Sequence, residues 1–163
     1  RTSGWVGYTL SWSNRQFDDL NSGEWFPFTY DRRHDVSVVV TQEFNEKWSG
    51  SLAWVYGTGR AVTLTESLFN GLAYGEYPAA PEWQVPSDRN AYRMSSYHRL
   101  DVSMTRVKPG SDGNRALIFS AYNAYNNLNP FFALAETEAD GTRLIREYGL
   151  FPIIPSIAWR FHF

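Results

Sequence analysis

The stretch Pro155–Phe163, "PSIAWRFHF", decides the fold by its period: Ile157, Trp159, Phe161 and Phe163 alternate with Ser156, Ala158, Arg160 and His162. Large side chains at every second position describe a strand with one apolar face. Terminal segments of soluble domains fray in water. An apolar period held to the last residue therefore predicts a strand held against something greasy.

Working outward, the same period recurs five more times, and no amphipathic helix competes with it. In "WVGYTLSWS" (5–13), Val6, Tyr8, Leu10 and Trp12 oppose Gly7, Thr9, Ser11 and Ser13. In "HDVSVVVTQEF" (34–44), Val36, Val38, Val40 and Phe44 oppose Asp35, Ser37, Thr41 and Glu43. "WSGSLAWVYG" (48–57) sets Trp48, Leu52, Trp54 and Tyr56 against Ser49, Ser51, Ala53 and Gly57. "HRLDVSMTRV" (98–107) sets Leu100, Val102 and Met104 against Arg99, Asp101, Ser103 and Thr105. "RALIFSAYNAYN" (115–126) is apolar at both parities, so its faces stay open. The sixth strand is expected to begin near Tyr148, with a bulge or frayed pairing where Pro152 and Pro155 remove ladder donors.

The connections alternate long, short, long, short, long. Strands two and three are joined by "NEK" and strands four and five by "KPGSDGN", whereas the other three connections run far longer. Loops above about 12–15 residues are uncommon in compact soluble domains. Three of them on one side of an antiparallel sheet match a transmembrane β-barrel, with short periplasmic turns and long extracellular loops. Trp48, Phe44, Trp159, Phe161 and Phe163 then fall at one level, as an aromatic girdle at the periplasmic membrane edge. A soluble ligand-binding barrel or sandwich, and a small adhesin-like barrel closed by oligomerisation, are the alternatives.

Composition agrees. Seven Trp, ten Tyr and eleven Phe make the chain 17% aromatic, which calls for a large core or an apolar solvent. A net charge of −2 without a basic cluster gives no reason to expect a nucleic-acid partner, and the absence of Cys excludes disulfides and thiolate metal sites. The chain opens at "RTSGWVGYTL", already in a strand and without an initiator Met, which suggests that an N-terminal part of a longer polypeptide is missing.

Several segments carry a family likeness. "GYTLSWSNRQFDDLN", "FPFTYDRRHDVSVVV", "WSGSLAWVYGTGRAVTL", "SSYHRLDVSMTR", "SAYNAYNNLNPF" and "LFPIIPSIAWRFHF" resemble the C-terminal portion of TonB-dependent outer-membrane receptors of the Bacteroidetes, SusC-like type. The resemblance covers nearly the whole chain, residues 1–163, and its most specific pieces are Asp31–Asp35, Tyr97–Ser103 and the final Phe163. It implies an all-β chain of about six antiparallel strands within a barrel of about 22, in the outer membrane of a Gram-negative bacterium. It also implies nutrient uptake (a glycan, peptide, siderophore or similar) energised by the TonB complex. The plug domain has no counterpart here.

The resemblance likewise implies partners: the lipid bilayer, the remaining strands and plug, TonB through the missing N-terminal part, the outer-membrane assembly machinery and a SusD-like lipoprotein. Arg15, Asp35, Glu43, Arg99, Asp101 and Arg160 would line the lumen, or pair across strands without touching a ligand. Trp25, Phe28, Tyr30, Tyr77 and Trp83, in the long loops, would offer a ligand or partner surface or pack on one another. Ile157, Trp159, Phe161 and Phe163 would be the assembly signal. No enzyme activity, cofactor or metal is expected: "DRRHD" tempts with an Asp–His pair, but adjacent strand residues point to opposite faces.

Overall fold

A computed structural model describes residues 1–69, 83–86, 88–108, 115–138 and 142–161. Its strands are β1 (Thr2–Leu10), β2 (Asn14–Arg15), β3 (Phe26–Pro27), β4 (His34–Glu43), β5 (Trp48–Gly57), β6 (Ala61–Val62), β7 (Thr65–Phe69), β8 (Trp83–Pro86), β9 (Tyr92–Arg93), β10 (Tyr97–Val107), β11 (Arg115–Tyr122), β12 (Pro130–Thr137), β13 (Arg143–Gly149) and β14 (Ile154–Phe161). One 3₁₀ turn, Asn21–Gly23, interrupts the first long connection. The protein is all-β and antiparallel, and no α-helix occurs among the described residues.

Six strands form one sheet in the order β1-β4-β5-β10-β11-β14, each antiparallel to its neighbour. They are the six strands of the sequence pattern. The remaining strands make two-stranded hairpins, β2–β3, β6–β9, β7–β8 and β12–β13, within the three long connections. All three connections therefore leave from one end of the sheet. The opposite end carries the turn after Glu43, where Asn45 Oδ1 accepts the Lys47 and Trp48 amides. It also carries the start of the second short connection, where the Lys108 amide donates to the Arg115 carbonyl.

Register aligns the apolar positions of all six strands. Val6 pairs with Val38, Val38 with Trp54 and Trp54 with Leu100; one level away, Val40, Leu52, Val102 and Ala121 follow one another. Met104, Phe119 and Ile157 continue the face to the far edge. The other face bears a row of hydroxyls, Ser3–Thr41–Ser51–Ser103–Ser120–Ser156, joined at Ser51–Ser103 (2.8 Å) and Ser120–Ser156 (2.7 Å). Because side chains alternate, a one-residue slip anywhere would mix these two chemistries.

Two strand assignments are refined. The fifth strand, ambiguous in sequence, puts Leu117 and Phe119 on the apolar face and Ile118, Ser120 and Tyr122 on the polar one. The sixth begins at Ile154 rather than near Tyr148, which belongs to β13 of a separate hairpin. The expected bulge is also absent: β11 and β14 pair continuously through Pro155 opposite Ala121. Within the described sheet β14 has one hydrogen-bonded neighbour, a setting that tolerates a residue without an N–H.

Among the described residues no second layer covers the sheet. Apart from Ala116, the buried apolar residues (Phe26, Ala61, Leu64 and Met94) belong to the long connections, as do the buried polar Asp31, Asn90, Asn123 and Asn129. On the apolar face Val6, Ile157 and Trp159 are 72%, 71% and 70% exposed. Exposed large apolar residues that share one face of six strands form a contiguous patch, unlike the singly scattered ones that are ordinary on a soluble monomer.

Candidate functional site

The long-connection end is built on polar locks. Asp31 is buried, and its carboxylate accepts the Ser13 amide at 2.6 Å and the Arg93 guanidinium at 2.6 Å, with Arg33 at 3.9 Å. Burial raises the carboxyl's pKa, but the Ser13 amide and the Arg93 and Arg33 charges outweigh it and hold the group below its usual value. Arg93 also donates to the Asp31 and Gly59 carbonyls, so one side chain ties the first long connection to both arms of the second. Glu147 ties the third to the second by accepting the Ser95 amide at 2.8 Å and the Tyr92 hydroxyl at 2.9 Å. Burial pushes its pKa up, and Ser95 with Tyr92 overcome that and bring it below normal.

Asn chemistry fixes the turn after β11. Asn123 is fully buried at φ 52° and donates its amide nitrogen to the Asn127 and Phe151 carbonyls, while its Oδ1 accepts the Asn127 amide. Asn127 and Asn129 then bond the His98 backbone. Asn tolerates the left-handed region and bonds its own backbone, which suits it to such a turn.

Below these locks, the polar face carries a charged cluster. Arg99 bonds Asp101 (2.9 Å), the Tyr97 hydroxyl (2.9 Å) and the Tyr122 hydroxyl (2.9 Å), with its guanidinium carbon 4.2 Å from the Tyr122 ring centre. Arg32 lies across Gly57, where a Cβ would meet its Nη1 at 2.7 Å, and reaches Asp35 at 3.4 Å. Gly57 is thus small because a guanidinium occupies its side-chain space. Above them Arg32, Arg60, Tyr97, Met94 and Phe131 line a cavity of about 170 Å³. The site offers guanidinium donors, phenol hydroxyls and aromatic rings. Among the described residues no group of three potential metal ligands gathers.

The predicted residues separate into places. Asp35, Arg99 and Asp101 meet in and beside this cluster. Glu43, opposite Ser49, and Arg160, opposite Ala116, share the polar face at the short-turn end. Arg15 is outside the six-stranded sheet: it sits in β2 with its guanidinium carbon 3.7 Å from the Phe28 ring centre. Phe28 and Tyr30 pack edge-to-face at 5.5 Å, while Trp25 is exposed. Trp83 stands opposite Phe69 in β8. Ile157, Trp159 and Phe161 lie on the apolar face, and Tyr77 and Phe163 lie outside the described residues.

His34 and Asp35 diverge: His34 Nδ1 bonds the Tyr8 hydroxyl at 2.9 Å, and Asp35 turns to Arg32. Sequence reasoning missed Arg60, Arg93 and Glu147, which act across 71, 62 and 52–55 residues. It also missed the Asn turn, for which the run "YNAYNNLN" was a usable signal. In comparisons with known proteins, no family model, no curated protein and no solved structure matches the chain.

Proposed function

We propose that this chain is a six-strand arc of a transmembrane β-barrel, in the C-terminal portion of a TonB-dependent receptor that imports a nutrient across a bacterial outer membrane. The observation that carries the reading is the continuous, exposed apolar face shared by all six strands. It is backed by a polar face of hydroxyls and ion pairs. The strands run 9, 10, 10, 11, 8 and 8 residues. A tilted strand needs about 9–11 to cross a bilayer.

On this reading the polar face lines the lumen, the three long connections lie outside the cell, and the Arg32–Arg99 cluster faces arriving solute. Trp48, Trp159 and Phe161 mark the periplasmic membrane edge. The unpaired edges of β1 and β14 join the remaining strands, since backbone groups left open in hydrocarbon cost several kcal/mol each. The plug and the TonB contact belong to the rest of the receptor. The assembly machinery reads the terminal strand, and a SusD-like lipoprotein covers the outer mouth. The protein moves its substrate unchanged.

The test is fractionation of the full-length polypeptide in its own cells. Expected is an outer-membrane protein that resists alkaline carbonate and migrates faster in gels before boiling than after. Release by carbonate, with heat-insensitive migration, would favour the soluble barrel or sandwich.

A further inference from the structure

The cavity of about 170 Å³ at the long-connection end is chemically one-sided. Two guanidinium groups, those of Arg32 and Arg60, line it, and among the described residues no carboxylate does. Arg32 is compensated only loosely, by Asp35 at 3.4 Å. Arg60 has no carboxylate partner among the described residues; it donates to the Phe131 carbonyl and lies beside that residue's ring. The hydroxyls around the cavity are already engaged. Thr58 Oγ1 accepts the His34 amide at 3.0 Å, the Ser95 hydroxyl bonds Glu147, and the Tyr97 hydroxyl accepts from Arg99 at 2.9 Å. The rest of the wall is apolar: Met94, Pro130, Phe131 and the ring of Tyr97.

Donors and size together decide what such a cavity accepts. Guanidinium groups only donate hydrogen bonds and carry a fixed positive charge. A sugar would leave that charge uncompensated, and it has protons of its own to donate where no carboxylate stands to take them. Inorganic phosphate would satisfy the cations and leave the apolar wall unused. An apolar cavity of about 150 Å³ holds a benzene ring. The volume here is therefore that of one ring, with the positive charge set beside it.

Deepening the import reading above, on which its role as a substrate site rests, we infer that this cavity binds a small aromatic carboxylate. The carboxylate lies against Arg60 and Arg32, whose planar N–H groups suit its two oxygens. The ring packs on Tyr97, Met94 and Phe131.

The test is calorimetry on the full-length polypeptide purified in detergent, with empty micelles as the blank. Benzoate is the probe, and benzamide, acetate and inorganic phosphate are the comparisons. Benzoate should bind about tenfold or more tighter than benzamide, which keeps the ring and lacks the charge, since a hydrogen bond to a charged group is worth that much. It should exceed acetate, which keeps the charge and lacks the ring, by a similar factor. Arg60→Gln should lower benzoate affinity about tenfold and Arg60→Lys should lose less. Phe131→Leu, altered at an exposed ring, should narrow the gap between benzoate and acetate. Arg89→Gln, at the same end beside Phe26 and outside the cavity, should bind as the native protein does. Tryptophan emission checks that each variant is folded, and the four probes on the native protein decide the matter even where one is not. No benzoate binding, equal affinity for benzamide, tighter binding of phosphate, or an equal loss in Arg60→Gln and Arg89→Gln would each overturn the site. None of these would disturb the barrel, which is read by fractionation. Benzoate binding retained by a polypeptide that carbonate releases would do the reverse, overturning import and keeping the cavity's ligand.

Discussion

Arginine at Val38 and at the adjacent Ser37 tests the face assignment most directly. Val38 lies in β4 between Val6 and Trp54. The polar positions nearest it on the same face of β4 are His34 and Gln42, four residues to either side. Four residues of strand span about 14 Å, so Val38 stands midway in an apolar band about 27 Å long. At a strand tilt of about 40° that band is roughly 20 Å tall, close to the hydrocarbon layer an outer-membrane barrel occupies. Val38→Arg should therefore cost about 2–4 kcal/mol. Ser37 faces the other way, between Gly7 and Val55, on the face that carries the hydroxyl row, with the Trp5 ring lying over Gly7 beside it. Ser37→Arg should cost under about 1 kcal/mol, the range of an ordinary surface change. Urea titrations of the two full-length variants folded into vesicles measure both. Equal costs, or a larger cost at Ser37, would refute the assignment and with it the claim that the apolar face meets lipid.

Other outcomes follow from the long-connection end. Asp31→Asn, which leaves Arg93 and Arg33 without their buried carboxylate, should destabilise this end by about 3 kcal/mol, seen as faster amide exchange at Ser13. Because the folded Asp31 carboxyl lies below its ordinary value of 3.8, its contribution is complete above that pH. It is lost as pH falls through the lower folded value, so Ser13 protection should drop there in the native protein and stay flat in Asp31→Asn. Asn123→Ala puts alanine at φ 52° and removes three side-chain hydrogen bonds. It should cost about 3 kcal/mol or more, and proteolysis within residues 123–129 should reveal it. Gly59→Ala would drive a Cβ into the Met94 carbonyl oxygen. It should separate the two arms of the second connection, read as a loss of exchange protection at Met94.

The sheet was legible because its rule is local. A period of two marks each strand, and the register then follows from matching apolar faces, as in Val38–Trp54–Leu100. Where both parities are apolar, as in Arg115–Tyr122, the period is silent and only the neighbours β10 and β14 decide the face. The hairpin β12–β13 escaped notice for a related reason. "PFFALAET" mixes large and small apolar residues without a clean period, although Phe132 stacks on Tyr148 at 4.9 Å. The candidate site was half legible. Arg99, Asp101 and Asp35 announce themselves as charges on strands. Arg60, Arg93 and Glu147 sit in the long connections, the last two in the short strands β9 and β13, and their partners are set by closures that no local pattern encodes.

The two halves of the molecule solve the problem of burial in opposite ways. At the long-connection end the locks are internal: Asp31, Asn123 and Glu147 satisfy the backbone of distant segments, and the connections pack on Phe26, Ala61, Leu64 and Met94. Among the described residues the sheet leaves its apolar face uncovered and its outer strands β1 and β14 with one neighbour each. A sheet normally hides such a face against a second layer. If the missing layer is lipid, the cost of a charge on that face should depend on its depth in the hydrocarbon and fall as the bilayer is made thinner. Changes at the locks should matter equally in thick and thin bilayers, because every partner is carried by the chain. Val38→Arg and Asp31→Asn, measured in vesicles of long-chain and of short-chain phosphatidylcholine, therefore form a cross-test. A penalty for Val38→Arg that does not change with acyl-chain length would mean that protein, not lipid, covers the apolar face.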